Sequence, residues 1–512
     1  MKLFAGIDIG SYEINLKIFE FGTRNKMREI ESINYRLDLG TDSFRTGKIS
    51  PGKVDELCRV LKEFSDIMLT YQVEEYVAYG TSALRETENT IILLNQIELR
   101  TGIRITVLSN SEQRFLDYKS IASKGEKFNK IIEKGTAIVD IGGGSIQISL
   151  FDKDALVATQ NLKIGVLRLH ERIAKLDLQQ NKLEIVLDEI ISAQLSVFKK
   201  LYLKDREIEH IIIVDDYVSV VLNQHIEGFE IGYIDENGFD HFVDAIKNDM
   251  PSKLSAQYNI PESNMKVLFI STILVRRVMK FLGAKLIWAP GVTLCDGIAY
   301  EYAKKNKYIT DVHKFEEDII ACAKCISKRY MGSKKRGETL ENIALNIFDS
   351  MKKCHGLGQR ERLILRLATI LHDCGKYISL TNLGECSYQI ILSTEMIGLS
   401  HVERKMLANI VKYNHTPFEY YEEIGKDLDI DQESYRVIAK LAAILSIANG
   451  LDRSHKQKFK DVRIVLKDRE LIITVNSDQD ITVEQMMFTV RADFFEEVYN
   501  IKPIIKQKKA RV

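Results

Sequence analysis

The segment from Asp140 to Ser145 constrains this chain most, because it places three consecutive glycines between two strand-like segments. Residues 136–139 are small or β-branched and predict a buried strand, whereas residues 146–150 alternate apolar and polar side chains and predict a half-buried strand. A strand that meets three glycines and returns as a strand forms a tight hairpin. Glycine permits positive φ and lets N–H groups converge on one point, which suits an anion. On these residues alone, a phosphate loop and a plain glycine-rich hairpin fit equally well.

A second copy of this pattern lies near the N-terminus and favours the phosphate loop. Asp8, Gly10 and Ser11 follow a strand-like segment and precede an alternating segment at 14–19. Two such units predict a duplicated α/β domain whose loops face each other across a cleft, an arrangement that resembles the actin-like, sugar-kinase-like ATPase superfamily. The residues expected to bind phosphate are Gly10, Ser11, Gly142, Gly143, Gly144 and Ser145. Asp8 and Asp140 are expected to hold a metal ion or a water, because a bare carboxylate would repel phosphate.

Length and composition narrow the class of protein. The chain has 512 residues, which predicts two to four domains. Its 72 basic and 72 acidic residues balance, which argues against nucleic-acid binding by bulk charge. The seven cysteines are scattered; Cys322 and Cys325 come nearest to a pair and lie in a helical stretch, so we interpret all seven as reduced thiols. With no membrane-spanning apolar run and no signal peptide, we expect a soluble cytoplasmic protein.

A further candidate anion site follows the strand predicted at 75–79. Thr81, Ser82 and Arg85 lie between the end of that strand and a polar helix start. Hydroxyl groups and a guanidinium at this place suit an anion, although an ordinary capped helix has the same pattern. A second strand, predicted at 103–108, leads into a helix through residue 122.

These motifs resemble the exopolyphosphatase/guanosine pentaphosphatase (Ppx/GppA) family in order and spacing. The matching segments are residues 8–11, 36–37 with 46–47, 80–86, 109–113, 140–145 and 162–169. The match is specific over residues 3–175 and weaker over 176–305. The resemblance implies two actin-like (ASKHA, ribonuclease H-like) lobes with a Mg²⁺-assisted phosphoanhydride hydrolase site between them. It also implies inorganic polyphosphate or a (p)ppGpp-type nucleotide as substrate, and a homodimer.

The chain departs from the family pattern at positions that carry catalysis. Family members have two glutamates where this chain has Glu112 and Gln113, and the second is the general base. The glutamate that helps to hold the metal is replaced by Gln147. A neutral amide can orient a water but cannot take its proton, and loss of a general base typically costs about 10²–10⁴-fold in rate. Either Glu112 serves as the base after a shift in register, or the cleft binds phosphate with little turnover.

Two smaller departures lie in the weaker part of the match. The family has a glycine-rich turn where this chain has Val214-Asp215-Asp216, and an Arg-Glu-Gly where it has Cys295-Asp296-Gly297. Charge is again altered at both places. We also expect Arg168 to contribute to a substrate channel.

Residues 304–307 are highly charged and predict a linker before a helical region. We therefore predict four parts: actin-like lobes at 1–130 and 131–305, an all-α HD-like domain at 311–455, and a small α/β unit at 460–512. The last part is expected to contain a β-hairpin at 462–475, two helices at 481–489 and 492–499, and a free basic tail at 502–511.

The HD-like domain is suggested by His372 and Asp373, since adjacent His and Asp at a helix end can both bind a divalent metal. The partner histidines of the HD phosphohydrolase motif are absent: Thr339, Cys386 and Asn414 occupy the matching positions. Asn449 replaces an expected aspartate, although His415 and Asp452 lie nearby. We interpret the pair as a vestigial site.

The sequence thus favours a phosphatase that hydrolyses terminal phosphoanhydride bonds. A non-catalytic protein that binds polyphosphate or an alarmone is the alternative. A sugar-type kinase fits less well, because no adenosine-pocket signature is present.

Overall fold

The computed structural model describes residues 2–22, 27–174, 176, 180–215, 217–224, 230–258, 260–310, 313–424 and 430–508. The chain divides into two compact units, Met1–Asp318 (unit 1) and Ile319–Val512 (unit 2).

Unit 1 is built on two β-sheets. Its strands are β1 (Lys2–Ile9), β2 (Glu13–Phe21), β3 (Met27–Arg36), β4 (Glu75–Gly80), β5 (Ile105–Val107), β6 (Thr136–Ile141), β7 (Ile146–Asp152), β8 (Ala155–Leu162), β9 (His210–Asp215), β10 (Tyr233–Asp235) and β11 (Leu286–Trp288). In the described residues, the first sheet has the order β3-β2-β1-β4-β5, and the second has the order β10-β11-β9-β6-β7-β8.

Helices cover both sheets. They are α1 (Gly40–Thr46), α2 (Pro51–Thr70), α3 (Ser82–Arg85), α4 (Thr90–Thr101), α5 (Asn110–Ala122), α6 (Glu126–Ile132), α7 (Val166–Ala174), α8 (Gln180–Phe198), α9 (Val218–Leu222), α10 (Glu236–Asn248), α11 (Pro251–Tyr258), α12 (Met265–Leu282) and α13 (Leu294–Lys305). A π-helical turn (Lys199–Leu203) extends α8, and a 3₁₀ turn (Glu262–Asn264) precedes α12.

The two sheets repeat one topology, which confirms the predicted duplication. In each, an antiparallel hairpin is followed by a third antiparallel strand on one side and by parallel strands on the other: β1 pairs with β2 and β4, and β6 pairs with β7 and β9. The central strands are apolar because both faces are covered; β6 is buried along its whole length. Each lobe has its own apolar cluster around these strands.

Unit 2 is mainly helical. Helix α14 (Phe315–Arg329) contains the boundary between the units and is followed by α15 (Lys334–Ser350), α16 (Lys352–His355), α17 (Gln359–Leu371), a 3₁₀ turn (Cys374–Tyr377), α18 (Leu383–Ser393), α19 (His401–Tyr413), α20 (Tyr421–Ile424), α21 (Gln432–Gly450) and α22 (Thr482–Tyr499). Its sheet, in the order β12-β13-β14, consists of β12 (Val462–Lys467), β13 (Glu470–Asn476) and β14 (Lys502–Lys508).

Three sequence-based expectations about elements were wrong. The helix expected over 239–258 is two helices, because Pro251 lacks an N–H and disfavours helical backbone at the preceding residue. The two helices expected between 481 and 499 are one, since no proline or glycine interrupts α22. The expected free tail is strand β14 over residues 502–508, which pairs in parallel with β13, whereas residues 509–511 lie outside the described part.

Within the described residues, no helix combines the length and the apolar character needed to cross a membrane.

Helix α5, which carries several candidate site residues, is held by a close crossing with α13. A Cβ atom at Gly297 would lie 2.1 Å from the backbone oxygen of Leu116, so only glycine fits at this crossing. The start of α13 is fixed by Thr293 and Asp296, which form a capping box, and Asp296 also accepts a hydrogen bond from Lys17 Nζ at 2.9 Å. Asp296, one of the departures noted above, therefore has a structural partner.

This crossing predicts that Gly297→Ala destabilises the chain. The added methyl group would clash with backbone atoms of α5, which cannot move away as a flexible side chain can. Overpacking of this kind lowers the free energy of unfolding by about 1–3 kcal/mol. Urea unfolding monitored by circular dichroism measures the loss. Gly52→Ala in α2 is the matched control, because no atom lies within 4 Å of its added Cβ. Equal unfolding midpoints for the two variants would contradict the close crossing.

Candidate phosphate site

Two matching hairpins form the centre of the candidate site. The Gly10 N–H donates to the Glu13 carbonyl at 2.9 Å, and the Gly142 N–H donates to the Ser145 carbonyl at 3.0 Å. In the strand pairing, Asp8 lies opposite Asn15 and Asp140 lies opposite Gln147. The two loops predicted from the sequence therefore have the same geometry, and each presents an aspartate at the end of its first strand.

The two loops meet at Ser11. A Cβ atom at Gly143 would lie 3.3 Å from the Ser11 Cβ, so the loops are in van der Waals range. The Ser11 hydroxyl lies 2.5 Å from the Ser82 hydroxyl, which brings the segment after β4 to the same point. Thr81 binds the end of β1, since its N–H donates to the Ile9 carbonyl at 3.1 Å. The structure thus brings together the three segments proposed from sequence to bind phosphate.

Close approach is the reason for glycine at three of the four loop positions; at Gly142 a Cβ atom would lie 3.4 Å from its nearest neighbour. None of Gly10, Gly142, Gly143 and Gly144 has a positive φ, contrary to the reason for glycine given by the sequence pattern. Instead, a Cβ at Gly10 would lie 2.6 Å from the Glu13 carbonyl oxygen, and Cβ atoms at Gly143 and Gly144 would each lie 2.9 Å from a neighbouring side chain.

The second loop rests on the start of α7. The Val166 N–H donates to the Gly142 carbonyl and the Arg168 N–H to the Gly143 carbonyl. Arg168 Nε donates to the Gly144 carbonyl at 2.8 Å. The loop carbonyls are thus directed at α7, whereas within the described residues the amides of Gly143 and Gly144 donate to no protein acceptor. Buried N–H groups without acceptors suit an anionic ligand.

Arg168 also links the second loop to the segment after β4. Its Nη2 donates to Glu86 Oε2 at 2.7 Å. The guanidinium therefore connects two parts of the candidate site through hydrogen bonds. The expected contribution of Arg168 to a substrate channel stays a prediction.

Arg85 lies beside the position that the family resemblance assigns to the general base. Its Nη1 donates to the Leu108 carbonyl at 2.7 Å and lies 3.4 Å from Gln113 Oε1. Because this contact joins a guanidinium to an amide oxygen, the pair can orient a water but holds no proton acceptor at neutral pH.

Glu112 caps its own helix. The Ser109 N–H donates to Glu112 Oε2 at 3.0 Å, and the Glu112 N–H donates to Ser109 Oγ at 3.3 Å. This reciprocal capping box satisfies two amides that the first turn of α5 would otherwise leave unpaired. Its role as a replacement base stays a prediction, and the carboxylate would have to leave the cap to fulfil it.

Sequence reasoning missed a buried arginine at the centre of the site. Arg114 is almost fully enclosed, and its guanidinium donates to Asp140 Oδ2 and reaches Ser145 Oγ at 3.4 Å. Asp117, one turn later on α5, is also buried. Burial raises the pKa of the Asp117 carboxyl well above its ordinary value, and the Asp140 charge raises it further. Charged residues three apart on the buried face of a helix were the signal available in the sequence.

Asp8 is a further buried carboxylate at the site. The pKa of Asp8 is raised to about 7, mainly by burial; a hydrogen bond with Asn15 lowers it, and the charges of Glu13 and Asp140 contribute to the rise. Its Oδ1 atom is buried and has no partner within the described residues. Asp8 therefore lies among like charges.

The groups around Asp140 do not fit a divalent cation such as Mg²⁺. Mg²⁺ is bound through carboxylates and waters in a near-octahedral set, whereas the Asp140 carboxylate is already engaged by a guanidinium. The opposing Gln147 is neutral, and its Nε2 donates to Thr159 Oγ1 at 2.6 Å. In the described part of the chain, no three His, Cys, Asp or Glu side chains are grouped to hold a metal ion.

Asp215 is a carboxylate at the end of β9. It accepts hydrogen bonds from the N–H groups of Val218 and Ser219 at 2.8 and 2.6 Å, so it caps the start of the short helix α9. The structure gives this departure from the family pattern a local role; Asp216, the third residue of that turn, lies outside the described residues.

A cleft of about 660 Å³ opens in unit 1 beside the first hairpin. It is lined by Glu13, Asn34, Arg36, Val220, Gln224, Ser255, Tyr258, Ile260 and Pro261. This volume lies in the range of small-molecule sites.

His372 and Asp373, interpreted from the sequence as a vestigial HD pair, lie in a buried polar cluster of unit 2. His372 Nδ1 lies 2.8 Å from the Thr369 carbonyl, and the His372 carbonyl lies 2.6 Å from His415 Nε2. Arg336 binds Asn449, and its Nε lies 3.7 Å from Asp452 Oδ2. A guanidinium thus lies among residues that correspond to metal ligands in the HD motif; that the domain is HD-like stays a prediction.

Sequence comparison identifies the family on both units. The Ppx/GppA phosphatase family matches residues 22–305, more than half of the chain, and the Ppx/GppA phosphatase domain III family matches residues 321–491.

Curated relatives are distant. The bifunctional 3-dehydroquinate synthase/phosphatase of Fusobacterium nucleatum is 25% identical over 33% of this chain, and exopolyphosphatase 1 of Mycobacterium bovis is 26% identical over 32% of it. The chain spans only 26% and 46% of the lengths of these two relatives. A guanosine-5′-triphosphate,3′-diphosphate pyrophosphatase of Photobacterium profundum is 20% identical over 80% of each chain.

Among solved structures, an exopolyphosphatase from Cytophaga hutchinsonii is similar, with a TM-score of 0.52 and 18% identity. The match covers 60% of this chain and all of that one. At this identity the similarity supports the fold alone, and it agrees with the two α/β lobes of unit 1.

The cluster in unit 2 predicts an acid-sensitive fold. Burial lowers the pKa of His415 to about 4. Between pH 6.5 and pH 4 the unfolded chain binds a proton that the folded chain does not, so stability falls as pH falls through this window. From pH 7 to pH 5 the wild type should lose about 2 kcal/mol more than His415→Gln.

Urea unfolding at the two pH values measures this difference. His241→Gln, at an exposed position of α10, is the control and should follow the wild type. If all three proteins lose stability in parallel, His415 is not a buried neutral histidine.

Proposed function

This chain belongs to the Ppx/GppA phosphatase family, and on that premise we propose that it hydrolyses the terminal phosphoanhydride bond of inorganic polyphosphate or of a guanosine pentaphosphate-type nucleotide at a reduced rate. One observation carries the proposal: the Gly10–Ser11 loop, the Gly142–Ser145 loop and Ser82 meet at one point. Backbone amides and hydroxyls that converge in this way bind phosphate oxygens.

The residues of the site can be given roles in this reaction. A water attacks the terminal phosphorus, the bridging P–O bond breaks, and the shortened chain leaves with the bridging oxygen. The amides of Gly143 and Gly144 and the hydroxyls of Ser11 and Ser82 would hold the terminal phosphate. Arg85, beside Gln113, would stabilise charge on the equatorial oxygens, a contribution that positioned cations make in phosphoryl transfer.

The same geometry supports a reduced rate. Gln113 lies where the base is expected, and its amide cannot accept the proton of the attacking water. Glu112, the nearest carboxylate in the sequence, is engaged in the helix cap. Proton transfer to solvent would then limit the reaction, which accounts for a loss of about 10²–10⁴-fold.

The second candidate function is non-catalytic binding of polyphosphate or an alarmone. It is favoured by the capping role of Glu112, since neither Glu112 nor Gln113 then offers a free carboxylate as base while the phosphate-binding groups remain. The names of the exopolyphosphatase and pyrophosphatase relatives support these two ligand classes equally. The homodimer and the cytoplasmic location remain predictions. The Mg²⁺ cofactor expected from the resemblance also remains a prediction, and the groups around Asp140 do not fit it.

Restoring the two carboxylates should raise activity. We expect Gln113→Glu to increase phosphate release from long-chain polyphosphate by about 10²-fold or more, because it returns a proton acceptor beside the attacking water. The double variant with Gln147→Glu tests the second position. Gln96→Glu makes the same chemical change at an exposed position of α4 and should have the wild-type rate. Equal rates for all these proteins would mean that the catalytic centre lies elsewhere.

A companion variant separates the two candidate functions. Glu112→Gln keeps an oxygen that can accept the Ser109 N–H, so the helix cap is preserved while the carboxylate is lost. If the wild type releases phosphate and this variant does not, Glu112 is the base and the protein is an enzyme. If neither releases phosphate but both bind the polymer, the protein is a binder.

Binding of polyphosphate should weaken as salt concentration rises. A long polyanion gains affinity from many charge contacts, and raising NaCl from about 0.05 to 0.5 M shortens the Debye length severalfold. We expect the dissociation constant, measured by fluorescence anisotropy with labelled polymer, to rise at least about tenfold. A constant affinity over this range would exclude a charge-driven polyphosphate site.

A further inference from the structure

A buried cation of the protein itself lies beside Asp140, the aspartate that the loop pattern assigns to a metal ion or a water. We infer that Arg114 takes the electrostatic place of a divalent ion at Asp140, so that the site binds phosphate oxygens without one. The inference rests on the proposed phosphate-binding function and defines how that site handles charge.

The first step is the position of the guanidinium. Arg114 is 3% exposed, and its Nη1 donates to the Asp140 carboxylate. Its Nη2 lies 3.4 Å from Ser145 Oγ, the last residue of the second glycine loop. The positive charge is therefore held between the candidate metal ligand and the candidate phosphate loop, as a bridging divalent ion would be.

The second step is the remaining hydrogen-bonding capacity. A guanidinium has five N–H donors in a planar fork that matches phosphate and carboxylate oxygens. Arg114 Nε is buried and has no acceptor within the described residues. A phosphate oxygen at the loop would provide the missing acceptor. The Arg114 guanidinium would then donate to the ligand as well as to the protein.

The third step is the balance of charge. By the resemblance, positions 113 and 147 lose carboxylates, and both changes weaken the attraction of the site for a dication. Arg114, directly after Gln113, adds a permanent positive charge, since arginine stays protonated in proteins. Arg114 repels a second cation beside it and attracts an anion, although the carboxylates of Asp8 and Asp117 near Asp140 offset part of this effect.

A purely structural ion pair is the competing explanation. Buried ion pairs often add little to stability, and removing one partner leaves the other charge uncompensated. A structural pair would change stability in a variant without changing how ligand binding depends on Mg²⁺. Metal dependence is therefore the informative readout.

The experiment measures tripolyphosphate binding to the full chain by isothermal titration calorimetry, once with EDTA and once with saturating Mg²⁺. We expect the wild type to bind equally well under both conditions, with dissociation constants in EDTA and in Mg²⁺ that agree within about threefold. The same agreement between the two conditions is expected for Arg114→Lys, which keeps a positive charge. For Arg114→Met, which keeps the volume but not the charge, we expect weak binding in EDTA and at least about tenfold tighter binding in Mg²⁺. Arg59→Met removes an exposed arginine from α2 and should follow the wild type.

Two results would overturn the inference: a wild type that needs Mg²⁺ to bind, or an Arg114→Met protein whose binding does not respond to Mg²⁺. If the wild type binds no tripolyphosphate under either condition, the proposed function fails instead. The thermal shift of the ligand-free proteins still decides the role of Arg114. If Mg²⁺ raises the melting temperature of Arg114→Met but not that of the wild type, the inference about Arg114 is supported. If Mg²⁺ shifts both melting temperatures equally, the inference is contradicted. If Arg114→Met fails to fold, the wild type and Arg114→Lys supply the same test of metal independence.

Discussion

The close approach of backbone segments at the glycine loops is the constraint on which unit 1 depends. A Cβ atom at Gly165 would lie 2.2 Å from the Ser145 amide nitrogen and 2.4 Å from the Gly143 carbonyl oxygen, so the start of α7 and the second loop leave no room for a side chain. The loop carbonyls are fixed on α7 by this contact. Ser11 and α7 both pack at Gly143, where a Cβ atom would lie 3.3 Å from the Ser11 Cβ and 2.9 Å from Leu167 Cδ1.

The sequence predicted this arrangement because duplication is visible as pattern. Two strand–Asp–Gly segments, each followed by an alternating strand, predict two hairpins that fold alike. The two repeated sheets confirm that these segments fold alike. The hairpin at 462–475 is an equally local signal, and the structure confirms it. The strand predicted at 146–150 is present, but the expectation that it is half-buried was wrong, because residues 146–151 are buried on both faces. The reason for the glycines was wrong, because close approach to other segments cannot be read from a single segment.

The parts that sequence reasoning missed depend on contacts distant in the chain. Arg114 pairs with a residue 26 positions away, and nothing near it in the sequence shows that it turns inward. Strand β14 is short and basic, and it pairs in parallel with the edge of β13. A charged segment beside a sheet edge has the same composition as a free tail. A free tail and an edge strand differ only in whether the fold offers a neighbouring strand to pair with, and a local segment of sequence does not show this.

The two units meet the same electrostatic problem in the same way. A carboxylate withdrawn from water must be neutralised by a proton, a metal ion or a cation of the protein. In unit 1 Arg114 binds Asp140, and in unit 2 Arg336 lies 3.7 Å from Asp452 and binds Asn449. Arginine remains charged at all physiological pH values and does not dissociate, so carboxylates compensated by it keep their geometry whatever the metal supply. Arg114 supplies a fixed positive charge beside Asp140, but it does not supply the Lewis acidity that a bound metal ion would.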